Sequence, residues 1–214
     1  MKGDAVRPLQ RSSRGRQPTQ RDLQREDTRA RLFAAALDEF RRVGVEAARV
    51  SEICQMVGVA KGTFFFHFPT KDHVLLDRQA QISEAMARRI EIELTDVPTA
   101  KAFLSRLAAI VIDEHEALGD PELVRQINLA IVRQSGVPRL GVAHTAFGIS
   151  LATQIGRHQR TGVLQRGIDP GCLADCLRLS FFGFLVSTEA SPKAGKRLLT
   201  LLTDLLAQSL VPRG

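Results

Sequence analysis

The sequence predicts an all-α protein. Apolar residues recur at steps of three and four along most of the chain after residue 27, glycines and prolines punctuate these stretches, and no segment alternates apolar and polar residues as a half-buried strand does. With 214 residues, 44% of them hydrophobic and 25% charged, the composition is that of a globular protein. The length fits one large domain or a small one joined to a larger one. Apolar runs are interrupted by charges well before the ~20 residues of a membrane span. Arg, Ser and Gln occupy the place of a secretory leader's apolar centre. Three cysteines, an odd number, form no disulfide framework. A cytoplasmic protein without a membrane partner is expected.

The formal net charge of +7 is unevenly placed. Residues 1–74 hold 14 basic and 9 acidic groups, against 16 and 14 in the remainder. Within residues 1–26, Lys2, Arg7, Arg11, Arg14, Arg16, Arg21 and Arg25 sit among Pro, Ser and Gln with few apolar residues. This segment reads as a disordered basic arm, or more plainly a solubilising tail.

Nine helices follow. The first spans 28–43, with Thr28 as its cap, Leu32, Ala36, Phe40 and Val43 on one face, and Gly44 behind it. A short helix over 50–57 turns Val50, Ile53, Cys54 and Val57 inward, and Gly58 ends it. A third, 60–66, carries Phe64, Phe65 and Phe66 and stops before Pro69. Thr70 caps a long fourth helix through Leu94, with the stripe Leu75, Gln79, Ile82, Met86, Ile90. Five more cover 100–117, 121 to about 135, 139–160, 172–188 and 192 to about 209. The last two are apolar over more than one stripe, as expected of helices that bury a second face against another chain.

Two short helices joined at Gly58 form a helix-turn-helix, whose second member fits a DNA major groove ~12 Å wide. Its amino terminus offers N–H groups to phosphates. The spaced residues Thr28-Arg29, Ala35-Ala36, Phe40, Gly44, Val50, Ile53, Gly58-Val59, Lys61-Gly62-Thr63, Phe65, His67-Phe68-Pro69 and Lys71 make this part of the chain resemble the tetracycline-repressor (TetR) family of bacterial transcription regulators. The resemblance is specific over about 27–87 and loose beyond. It implies a DNA-binding domain over 27–87, its helix-turn-helix at 49–68, and an effector-binding and dimerisation domain over 88–214.

The same resemblance implies that Lys61, Gly62, Thr63 and Phe64 face the groove, that Phe65 and His67 contact the DNA backbone, and that Lys71 reaches a phosphate. Thr28, Arg49 and Ala60 complete the expected DNA-binding set. The family commonly has Thr at position 49, Ser or Thr at 60 and Tyr at 65, so Arg49, Ala60 and Phe65 are departures. Arg49 cannot cap its helix, but it brings a guanidinium to the expected phosphate.

The expected partners are double-stranded operator DNA, a small and largely apolar effector, and a second copy of the chain. Repression is the expected action. Phe103, Leu107, Ile131, Phe147 and Leu151 are the expected effector lining, with Arg133 or His144 as a polar anchor; packing of the five in the core is the alternative. Leu173, Leu177, Phe181, Phe184, Leu198, Leu202 and Leu205 are the expected dimer interface. No cofactor, metal site or catalytic residue is expected. Cys172 and Cys176, one turn apart, read as small core residues, and Asp113, Glu114 and Glu116 as a solvated face. Two other readings are a DNA-binding architectural or cell-division factor without an effector, and a helical ligand carrier or enzyme.

Overall fold

The computed structural model describes residues 19–135, 145–186 and 192–212. Among them are nine helices and no strand: α1 (Gln20–Val43), α2 (Val50–Val57), α3 (Lys61–His67), α4 (Lys71–Glu93), α5 (Ala100–Glu116), α6 (Pro121–Ser135), α7 (Ala146–Thr161), α8 (Pro170–Val186) and α9 (Pro192–Ser209).

Helix α1 begins earlier than periodicity implied. Thr19 is extended, its Oγ1 accepts from the Asp22 N–H at 3.3 Å, and its own N–H donates to the Asp22 carboxylate at 2.9 Å. This reciprocal capping box satisfies donors that a helix start otherwise leaves unpaired. Residues 19–26 are therefore not a disordered arm; residues 1–18 lie outside the described residues. Thr28 is interior to α1, where its hydroxyl donates to the Gln24 carbonyl at 2.9 Å. The added turns gain tertiary support without apolar side chains. Arg25 lies over the Phe66 ring at 4.6 Å and Arg29 over Phe68 at 4.8 Å.

Helices α1–α3 make a small head. Gly58 terminates α2 at φ 78° and ψ 38°, a left-handed conformation that a side chain would strain. Its N–H and that of Val59 both donate to the Cys54 carbonyl, at 2.9 and 3.0 Å. The chain thereby turns directly into α3. Phe64 and Phe68 anchor α3, both essentially inaccessible, with ring centroids 5.7 Å apart.

Helix α4 belongs to both parts of the molecule, packing on α1 in the head and on α5, α6 and α7 in the body. Thr70 stands at its amino end, but its hydroxyl meets His73 Nδ1 at 2.9 Å rather than capping a backbone N–H. The body is completed by α5 on α9, and by α8 on both α6 and α7. Helix α7 spans Ala146–Thr161, capped by Thr145; the expected start at 139 lies outside the described residues, as do 136–144 as a whole. Helix α8 starts at Pro170, and the expected 187–188 also fall outside them.

Several expected surface features lie inside, and the reverse. Leu173, Leu177 and Phe181 are buried within the chain, because α8 sits across α6 and α7. Cys172 and Cys176 are exposed rather than core. Asp113 and Glu114 are not a bare solvated face: Arg89 of α4 reaches them at 3.0 and 3.3 Å, and Glu93 at 2.6 Å.

Phe64→Ala should lower unfolding free energy by about 3–5 kcal/mol, the usual cost of emptying a buried aromatic site. Phe66→Ala, at an exposed ring, should cost about 1 kcal/mol or less. Urea titrations of both variants give the comparison.

Candidate functional site

Helix α3 presents its first turn outward. Lys61 and Gly62 are exposed and Thr63 is half-buried. A Cβ added at Gly62 would meet nothing within 4 Å, so its surface is open to a flat neighbour. Phe64 points the other way, into the head's core, which corrects its expected groove contact. Seven residues on one helix cannot all face outward, and Phe64 is the one with a core to fill. Phe65 and Phe66 are half to two-thirds exposed and form the outer flank.

Both helices of the motif start without a side-chain cap, at Arg49 and Ala60. The Arg49 side chain is 77% exposed and only loosely paired, 3.8 Å from Glu52. It remains available to a partner on this face. Lys71 does not: its ammonium donates to the carbonyls of Val45, Glu46 and Ala48 at 2.6, 2.9 and 3.1 Å. Those carbonyls belong to the link after α1, so Lys71 ties the fourth helix to the head instead of reaching a phosphate. Burial first, then the positive charges of Arg25 and Arg29, hold His67 below the ordinary histidine value, so its ring is neutral near pH 7. Arg29 is itself ion-paired to Asp77 of α4.

In the body a cavity of about 530 Å³ lies between α4, α5, α6, α7 and α8. Leu76, Met86, Val111, Ile131, Phe147 and Phe181 give it apolar walls. Exposed Ala80 and Glu84 also border it, so it reaches the surface along α4. Of the expected lining, Ile131 and Phe147 are here. Phe103, Leu107 and Leu151 are fully buried core residues elsewhere, as the packing alternative had it. Arg133 is no anchor for the cavity, because both its Nε and Nη2 bind the Asp72 carboxylate, at 2.9 and 2.8 Å. His144 lies outside the described residues.

Polar members of the inward stripes also face this region, Gln79 among those the periodicity placed inward and His115, Asn128 and Ser83 among those it did not single out. His115 of α5 is 4% exposed, and its Nδ1 lies 2.7 Å from the Val111 carbonyl. Gln79 of α4 and Asn128 of α6 line the same cavity. Ser83 accepts from the Phe147 N–H at 3.0 Å, joining α4 to α7 at its wall. Among the described residues no three His, Cys, Asp or Glu side chains converge as a metal site, and no helix is long and apolar enough to cross a membrane.

Of the expected dimer residues, Phe184 and Leu202 are half-buried, Leu205 is 56% exposed, and the Leu198 side chain lies outside the described residues. Leu201, part of the same apolar pattern on α9, is exposed as Leu205 is.

The structure thus combines a three-helix head, whose second motif helix faces outward, with an all-helical body that contains a cavity. Residues 32–77 match the family described as bacterial regulatory proteins, tetR family. The match lies within the head, covering α2, α3 and the neighbouring parts of α1 and α4. The chain is 31% identical over 103 residues to the fatty acid metabolism regulator protein of Bacillus subtilis (strain 168). That match spans 48% of this chain and only about half, 49%, of the relative's length. The fold resembles Thermus thermophilus FadR, a TetR-family transcriptional repressor solved with lauroyl-CoA, with TM-score 0.66, 22% identity, and coverage of 87% of this chain and 97% of that one. It also resembles RolR bound to resorcinol, with TM-score 0.62, 18% identity, and coverage of 86% and 89%.

Burial holds His115 below the ordinary histidine value, outweighing the Val111 hydrogen bond and the nearby Glu114, so the folded chain binds its proton less readily than the unfolded chain. The stability this contributes is complete above about pH 6.5 and is lost as pH falls through the lower folded value. Melting temperature should therefore drop more steeply between pH 7 and 5 for the parent than for His115→Gln, by differential scanning calorimetry.

Proposed function

We propose that this chain is a homodimeric, cytoplasmic transcriptional regulator. Its head binds operator DNA through Lys61, Gly62, Thr63 and Phe65, with Arg49, Ala60 and His67 along the backbone. A small, largely apolar effector in the body cavity releases the DNA, so repression is the expected action. The observation that carries this reading is α4, one continuous helix whose first turns are tied to the head and whose later turns wall the cavity. The lauroyl-CoA and resorcinol complexes of similarly folded proteins support a ligand in the body.

Two heads must meet half-sites ~34–36 Å apart, or a multiple of that, on one DNA face. An effector that prefers the α4 position with the wrong spacing lowers affinity by its differential binding to the two states. The dimer surface is proposed around Leu201 and Leu205 of α9 together with the half-buried Leu179 and Phe184 of α8. A closed two-fold arrangement of these helices forms a four-helix interface.

Selection of genomic DNA fragments by the purified protein tests the reading. A recurrent two-fold symmetric sequence is expected, and Lys61→Ala should weaken binding to it by about tenfold or more. Recovery of fragments without a common sequence would remove the proposal. Leu201→Glu with Leu205→Glu should shift sedimentation from dimer to monomer or cause aggregation; an unaltered dimer would place the interface elsewhere. Arg49→Thr restores a cap and should add about 1 kcal/mol of stability. The same change should weaken operator binding and reduce the slope of log affinity against log salt by about one.

A further inference from the structure

Apolar and polar side chains both line the cavity, and two of the polar groups are acceptors with no partner inside the protein. They are His115 Nε2 and Gln79 Oε1, on α5 and α4. For His115 the chemistry of the vacant atom is determined by its other nitrogen. A carbonyl oxygen only accepts, so at 2.7 Å from the Val111 carbonyl Nδ1 must carry the proton. In the neutral ring Nε2 then has a lone pair and no hydrogen. Burial disfavours the imidazolium, so this neutral form is the one present near pH 7. A buried acceptor without a donor is costly, and a ligand that supplies the donor recovers that cost on binding.

We infer that the cavity selects a neutral, mainly apolar molecule carrying a hydroxyl, which donates its proton to His115 Nε2 while the remainder lies against Leu76, Met86, Val111 and Phe147. The inference rests on the reading of this cavity as the effector site. An anionic ligand suits it less well. Its carboxylate would face the Nε2 lone pair, Glu84 adds a negative charge at the opening, and Arg178 is held to Asp175 at 3.3 Å. An ether or alkane of equal size fills the space but leaves Nε2 unpaired.

Calorimetric titration with 4-butylphenol, 4-butylanisole and 4-butylbenzoate separates these cases, because the three share a ring and tail and differ in the head group. The phenol is expected to bind the parent about tenfold tighter than the anisole, the size of one buried hydrogen bond. In His115→Phe that preference should fall below about twofold, and His115→Gln, which keeps an acceptor, should retain part of it. Equal binding of phenol and anisole by the parent, tightest binding of the benzoate, or a preference that survives in His115→Phe would each overturn the inference. The first two of these tests need no variant. Operator affinity measured with each bound compound keeps the two proposals apart. Selective phenol binding that leaves operator affinity unchanged would retain the ligand class and remove the effector role. Absence of binding by all three compounds at millimolar concentration would overturn the ligand class and leave the DNA-binding head untouched.

Discussion

A single helix has to satisfy two cores. Val74 and Leu75 near the start of α4 are fully buried, and Ile82, Met86 and Ile90 further along are buried in the body. Close packing allows neither set to slide freely, since interiors lose contact energy with displacements well under an ångström. The orientation of the head is therefore set by how the body holds α4. Met86, Ser83 and Gln79 and the turn that carries Lys71 lie on the same continuous helix.

Polar contacts fix that rod at several heights. The Arg133–Asp72 pair joins the end of α6 to the first turn of α4, Ser83 accepts from the first turn of α7, and Ser150 donates to Glu91 at 2.8 Å. The three differ in kind. The Arg133–Asp72 pair is partly solvent-exposed and contributes little net stability by itself, so it yields readily. The Ser83 bond is buried at the cavity wall, where breaking it without replacement is costly. The polar tie of α4 at its head end is thus weaker than the one at the cavity wall.

The helices were legible in the sequence because each buries one stripe, and stripe spacing is a local property. The start of α1 was not, because what holds residues 20–27 is a reciprocal cap at Thr19 and the Arg25 guanidinium on the Phe66 ring, neither of which shows as an apolar stripe. The motif residues of the head were readable, but not the assignment of Phe64 inward or of Lys71 to backbone carbonyls. Periodicity also fails to separate inward positions that meet other side chains from those that meet a void. Phe103 and Leu107 meet core, whereas Ile131 and Phe147 meet the cavity. The usable signal was the polar residue inside an apolar stripe. Gln79 stood in the α4 stripe, and His115 lies one turn beyond Val111 on α5.

Helix α3 is held by one ring from its own turns, Phe64, with Phe68 behind it. Its outward positions Lys61 and Gly62 bear almost none of the packing of the head, and Phe65 contributes only one edge-on contact of its ring with Phe64. What this face can present to a partner and what holds the helix in place thus occupy largely separate positions. Substitutions on the outward side can change which partner it fits while its folding stays intact, and a designer can rework that side in the same way by leaving Phe64 and Phe68 alone.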